Sequence, residues 1–166
     1  MRSLVVYDSV FGNTELIAQE IARVLPPEKE TPLVRVSEFD PTLLSAVELL
    51  IVGSPTRKFR PTEAIDNFVK AMPARKLAGV KIAAFDTRFS LEDIRSSAVR
   101  FVVRIGGYAA KQIAEQLMKK GGELILPPEG FLVVGEQGPL KPGELERAGQ
   151  WAREISSPAK PAVGSP

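Results

Sequence analysis

Cysteine and histidine are both absent from the 166 residues. That removes disulfides, zinc fingers, iron–sulfur clusters, thiol nucleophiles and every Ser-His-Asp or Cys-His arrangement, and no metal site is expected. Acid–base chemistry would fall to carboxylates, lysine or tyrosine. No apolar run approaches the roughly 18 residues of a membrane span. The opening Leu4-Val5-Val6-Tyr7 is short and no small-residue cleavage site follows it, so the reading is a cytoplasmic protein without a membrane span. Charge of one sign is not in excess either: 22 Lys+Arg against 20 Asp+Glu leave +2, which gives no argument for nucleic acid. Neither G-x-G-x-x-G after the first strand nor G-x-x-x-x-G-K-[ST] anywhere occurs, which argues against a dinucleotide fold and a P-loop nucleotidase.

What is present is an alternation. With 44% hydrophobic and 25% charged residues the chain suits one domain, expected over residues 1–156, followed by a mobile tail over 157–166 carrying Pro158, Pro161 and Pro166. Leu4–Tyr7, Leu33–Val36, Val47–Val52 and Val80–Phe85 read as short strands, apolar on successive residues as in a parallel sheet buried on both faces. A final strand reads as interrupted, Leu124–Leu126 and Phe131–Val134 around Pro127-Pro128. Helical spacing of apolar residues follows the strands: Leu16 to Leu25, Ile65 to Met72, Ala109 to Met118 and Leu145 to Ile155. Strand then helix, about five times over, predicts a doubly wound α/β domain. Ser90 to Ile105 falls outside the repeat, and an extra helix, a lid and an edge element all fit it.

In such sheets ligands sit beyond the carboxyl ends of the strands, where the loops Ser9–Thr14, Ser54–Pro61 and Asp86–Ser90 gather. Ser9-Val10-Phe11-Gly12-Asn13-Thr14 runs directly into the first helix, whose free N–H groups and dipole favour an anion. Ser9 and Thr14 add hydroxyls, and Gly12 permits close approach, so the loop can hold a phosphate without lysine or arginine. A plain turn with an Asn or Thr cap uses the same residues. Asp8 and Asp86 each end a strand, where side-chain bonds to the following turn are the ordinary expectation. Gly53-Ser54-Pro55 stands where a phosphoreceiver domain would need its aspartate.

Val5-Val6-Tyr7-Asp8-Ser9-Val10-Phe11-Gly12-Asn13-Thr14-Glu15 resembles the FMN-phosphate signature of the flavodoxin family, and Ile51-Val52-Gly53-Ser54-Pro55-Thr56 resembles the strand and start of its second flavin loop. The resemblance implies a flavodoxin-like three-layer sandwich: a five-stranded parallel sheet of order 2-1-3-4-5, helices on both faces, and one noncovalent FMN. Ser9, Val10, Phe11, Gly12, Asn13 and Thr14 would wrap the phosphate. Pro55, Thr56, Arg57, Lys58 and Phe59 would border one side of the isoalloxazine, and Thr87, Arg88 and Phe89 the other.

Two departures stand out. The sole tryptophan, Trp151, lies in the last helix, and neither Tyr7 nor Tyr108 falls in these loops, which leaves Phe59 and Phe89 as the aromatic candidates. Typical members are acidic, whereas Arg57, Lys58, Arg60 and Arg88 gather here with no evident acidic partner. Such a rim would favour the anionic reduced flavin and receive an acidic redox partner or an NAD(P)H phosphate. Three functions therefore stand open: an electron-transfer flavoprotein first, then an FMN-dependent NAD(P)H oxidoreductase, then a non-flavin binding or regulatory module.

Overall fold

Residues that are apolar on consecutive positions have no solvent face to offer, and the chain places them accordingly in the middle of a parallel sheet. The computed structural model describes residues 1–26, 31–90 and 94–157, with the backbone alone over 102–106. Strands β1 (Ser3–Tyr7), β3 (Leu49–Pro55) and β4 (Lys81–Arg88) form its centre, and Leu4, Val5, Val6, Leu49 to Val52 and Ile82 to Phe85 are all at most 1% exposed. Short β2 (Leu33–Arg35) flanks β1 on one side. On the other, β4 pairs in parallel with both β5 (Glu123–Leu124) and β6 (Glu129–Leu132). The order is β2-β1-β3-β4-β5, with β6 continuing along β4 beyond β5, which is the expected 2-1-3-4-5 sheet with its last strand split. Pro127 and Pro128 occupy the break, where the missing N–H groups cannot enter a ladder.

Helices cover both faces. Helices α1 (Asn13–Val24) and α5 (Glu144–Ser156) pack one side over Ile51, Phe85 and Phe131, and the rings of Phe85, Phe131 and Trp151 of α5 meet edge to face at 6.1 Å. Helices α2 (Glu63–Ala71) and α4 (Ala109–Lys119) pack the other over Leu50, Val52, Ile82 and Ala84. The remaining helix, α3 (Ser97–Gly106), is an added helix between β4 and α4 in the later part of the Ser90–Ile105 stretch, of which residues 91–93 lie outside the described residues.

Several boundaries differ from the sequence reading, and the two pieces of the last strand fall at Glu123–Leu124 and Glu129–Leu132 rather than at Leu124–Leu126 and Phe131–Val134. Strand β3 starts two residues later than Val47 and continues through Gly53, Ser54 and Pro55, paired with Phe85, Asp86 and Thr87. Strand β2 ends at Arg35, because Val36 begins a 3₁₀ turn. Strand β4 runs on to Arg88, so Thr87 and Arg88 belong to a strand and not to a loop. The tail expected over 157–166 lies, from residue 158 on, outside the described residues.

Candidate functional site

Strands β1, β3 and β4 end side by side, and their three connections enclose a cavity of about 470 Å³. The first connection is a cradle. Gly12 takes φ +92°, a left-handed conformation that a residue with a side chain adopts only under strain, and a Cβ there would meet nothing within 4 Å. The buried Ser9 hydroxyl accepts from Gly12 N–H at 3.1 Å and from Glu15 N–H at 3.4 Å, which folds the loop over the start of α1. Gly12 gives α1 no side-chain cap. The amides of Val10, Phe11, Asn13 and Thr14 have no acceptor among the described residues. Four donors at the positive end of a helix, around open space, can coordinate an anion such as a phosphate group.

The cradle is braced from elements that sequence reading did not connect to it. Arg35, at the end of β2, donates to the Ser9 carbonyl and lies 3.7 Å from the Asp8 carboxylate. Asn13 Nδ2 donates to the Gln137 carbonyl at 3.2 Å, which brings the 133–140 loop over α1 and Val133 and Glu136 into the cavity wall. Asp8 does bond its neighbour, accepting from Ser9 N–H at 2.9 Å.

The second connection is a tight hairpin. Arg57 and Arg60 exchange backbone hydrogen bonds at 2.8 and 2.9 Å around Lys58 and Phe59, which both take positive φ (47° and 66°) although neither is glycine. Such backbone persists only where its surroundings hold it. Here Gln112 of α4 donates to the Phe59 carbonyl at 2.6 Å. Arg57, Lys58 and Arg60 are exposed, and none enters an ion pair among the described residues. The Arg57 guanidinium sits 5.5 Å from the Phe11 ring, so one cation of this hairpin leans toward the cradle.

The third connection differs most from expectation. The Thr87 hydroxyl is buried and stands 2.8 Å from that of Thr14. Arg88 is not a free cation of the rim. Its Nε and Nη2 donate to Asp86 at 2.5 and 2.7 Å, and Asp86 is fully buried, not a turn residue. Burial pushes the Asp86 carboxyl up from the usual range, against the pull of Arg88, the Ala110 N–H and the Thr56 hydroxyl.

Tyr108, passed over in the sequence because it lies outside the loops, stands at the start of α4 with its ring 3.8 Å from Arg88 Cζ and lines the cavity. Phe59 and Phe89 line it as well, so the cavity has more aromatic candidates than the loops alone supply. Of the fourteen residues expected to hold the cofactor, all but Ser9 and Gly12 line the cavity, and those two shape the cradle's backbone.

A flavodoxin family model matches residues 5–151. Solved structures with the same architecture include flavodoxin 2 of Bacillus cereus, at 22% identity and TM-score 0.71, covering 94% of this chain and 98% of that one. An archaeal flavodoxin matches at 21% identity and TM-score 0.71, over 94% and 96% of the two chains. The rubredoxin oxygen:oxidoreductase of Desulfovibrio gigas matches at 19% identity and TM-score 0.67, over 93% of this chain and 35% of that longer one. No curated protein matches. No helix among the described residues is long and apolar enough to cross a membrane.

Proposed function

The chain belongs to the flavodoxin family, whose cofactor is FMN, and on that premise we propose that it carries electrons on one FMN held at the carboxyl ends of its strands. The phosphate sits in the Ser9–Thr14 cradle, and the ring lies between the Pro55–Phe59 connection and Thr87, Arg88 and Phe89. The observation that carries this reading is the set of amides without acceptors at Val10, Phe11, Asn13 and Thr14, opening on the cavity. FMN, when bound, supplies reversible uptake of electrons. The chain's own residues bind its phosphate, flank its ring and shield its apolar face from water. The absorption spectrum of the purified protein, before and after incubation with FMN and gel filtration, tests the reading. Retained flavin bands support it, and a colourless protein that refuses FMN overturns it.

The hairpin Arg57-Lys58-Phe59-Arg60 suits a redox partner with an acidic surface, since its three cations are exposed and outside the ion pairs of the described residues. Steering by such a patch raises association rates and fades with salt.

A second reading, an FMN-dependent NAD(P)H oxidoreductase, draws on α3 and the residues before it. Ile94 and Val99 join Phe89 and Tyr108 in the cavity wall and give it an apolar side beyond the strand ends. Anaerobic mixing separates the two readings. Rapid bleaching of the flavin by NADPH or NADH supports a reductase, and none supports a carrier fed by another protein.

A further inference from the structure

Asp86 has no exposed surface, yet four donors converge on it: Arg88 Nε and Nη2, the Ala110 N–H at 2.9 Å, and the Thr56 hydroxyl. Thr56 Oγ1 in turn accepts from the Ala109 N–H at 3.1 Å, so the second connection, β4 and the first turn of α4 meet on one carboxylate. The guanidinium of Arg88 is fixed on its other sides as well. The Tyr108 ring lies against it, and Gly130 lies close enough that a Cβ there would stand 2.2 Å from Arg88 Cζ. Tyr108 is tied at its far end, its hydroxyl donating to the Phe89 carbonyl at 3.3 Å. A serine or aspartate at position 108 would cap α4 without burying a charge. The helix start alone therefore does not account for the arrangement. Its two outer members, Arg88 and Tyr108, both line the cavity.

We propose that Asp86 is a positioning residue of the cofactor pocket: its bidentate pair with Arg88 holds the Tyr108 ring as an aromatic wall and cancels the Arg88 charge beside the flavin. This rests on the FMN reading above. Geometry and charge make separable contributions. Asp86→Asn keeps the shape and loses the negative charge, so Arg88 faces the pocket as an uncompensated cation and favours the anionic reduced flavin over the oxidised one. Arg88→Lys keeps the charge and loses the planar fork that stacks on Tyr108.

The test compares the wild type, D86N, R88K and the double variant D86N/R88Q for FMN affinity and for the two-electron midpoint potential of bound FMN. Amide exchange at Ala109 and Ala110 in the apoprotein is followed alongside. D86N should bind reduced FMN about tenfold more tightly relative to oxidised FMN, which a two-electron couple reads as about 30 mV upward. The neutral double variant should return most of that shift, a reversal that a purely structural role would not produce. R88K should lose about tenfold in FMN affinity with its potential near wild type, and it keeps the question answerable if D86N fails to fold. Exchange at Ala110 should quicken at least tenfold in D86N apoprotein while Ile82 to Ala84 stay protected. An unchanged potential in D86N, an unreversed shift in the double variant, or wild-type affinity in R88K would overturn the proposal. If the wild type takes up no FMN, the FMN reading itself fails, and unchanged Ala110 exchange would separately overturn the positioning by Asp86.

Discussion

The hydroxyls of Thr14 and Thr87, 73 positions apart in the chain, stand 2.8 Å from one another with both residues almost fully buried. They join the first turn of α1 to the end of β4, which ties the cradle to the third connection. A cofactor anchored in the cradle is thereby set in register with the pocket wall. Pre-organisation of this kind lowers the ordering cost of binding.

Replacing Thr14 by valine keeps volume and removes both the link to Thr87 and a hydroxyl at the cradle. FMN affinity should fall by about tenfold, the equivalent of one hydrogen bond to a charged group at about 1.5 kcal/mol, while riboflavin binding changes little. Isothermal titration with both ligands checks the difference. Gly12→Ala should act on stability instead, since a Cβ at φ +92° adds about 1–2 kcal/mol of backbone strain to the folded protein, which urea unfolding reads.

Reversing the hairpin charges, with Arg57, Lys58 and Arg60 all changed to glutamate, should leave the fold intact because the three side chains are exposed. Electron transfer to an acidic partner should slow by about tenfold or more at low ionic strength, the order expected of lost electrostatic steering. The gap between wild type and variant should close as salt is raised. Stopped-flow kinetics over a salt series measures it.

Tyr7 carries a pH prediction. Its hydroxyl donates to Glu15 at 2.7 Å, and burial followed by that bond pushes the phenol up from 10.0 to about 12. The folded state favours the neutral form, so the stabilisation is fully present below pH 10 and disappears as pH rises through about 12. Burial raises Tyr108 too, against the opposing Arg88. A tyrosinate absorbance titration of the native protein should therefore lag that of the unfolded chain, and Tyr7→Phe should remove the later-titrating component.

Glu144 works in the opposite pH direction. Burial raises its carboxyl, but the hydrogen bonds from Arg147 and from the Leu132 N–H at 2.6 Å outweigh it, and the group is held below its usual 4.5. Its stabilisation is complete above that usual value and fades as pH falls through the lowered one. Glu144→Ala should cost about 1–3 kcal/mol near neutrality, below the full figure for a buried pair because Arg147 is 38% exposed. The difference should shrink in acid, and urea unfolding across pH follows it.

How far the molecule could be read from its residues depended on whether a feature is local. The central strands were legible because double-sided burial writes itself as consecutive apolar residues, as in Leu49 to Val52. The cradle was legible because its loop and helix are continuous in the chain. Arg88 was misread as a free cation, since nothing in the spacing of Asp86 and Arg88 says whether two residues on one strand face lie in water or under a helix. Tyr108 was missed because it reaches the cavity through the start of α4, 19 residues beyond Phe89. Arg35 and Gln137 brace the cradle across the sheet and across 124 positions respectively. Such contacts depend on the topology, and no local pattern signals them.

The central claim is that the Ser9–Thr14 cradle holds the phosphate of FMN, and the direct measurement is titration of the apoprotein with FMN and with riboflavin, which lacks only the phosphate. The account predicts stoichiometric uptake of FMN and at least a hundredfold weaker binding of riboflavin, as expected when four amide donors lose a charged acceptor. Equal affinity for the two flavins, or uptake of neither, would contradict it.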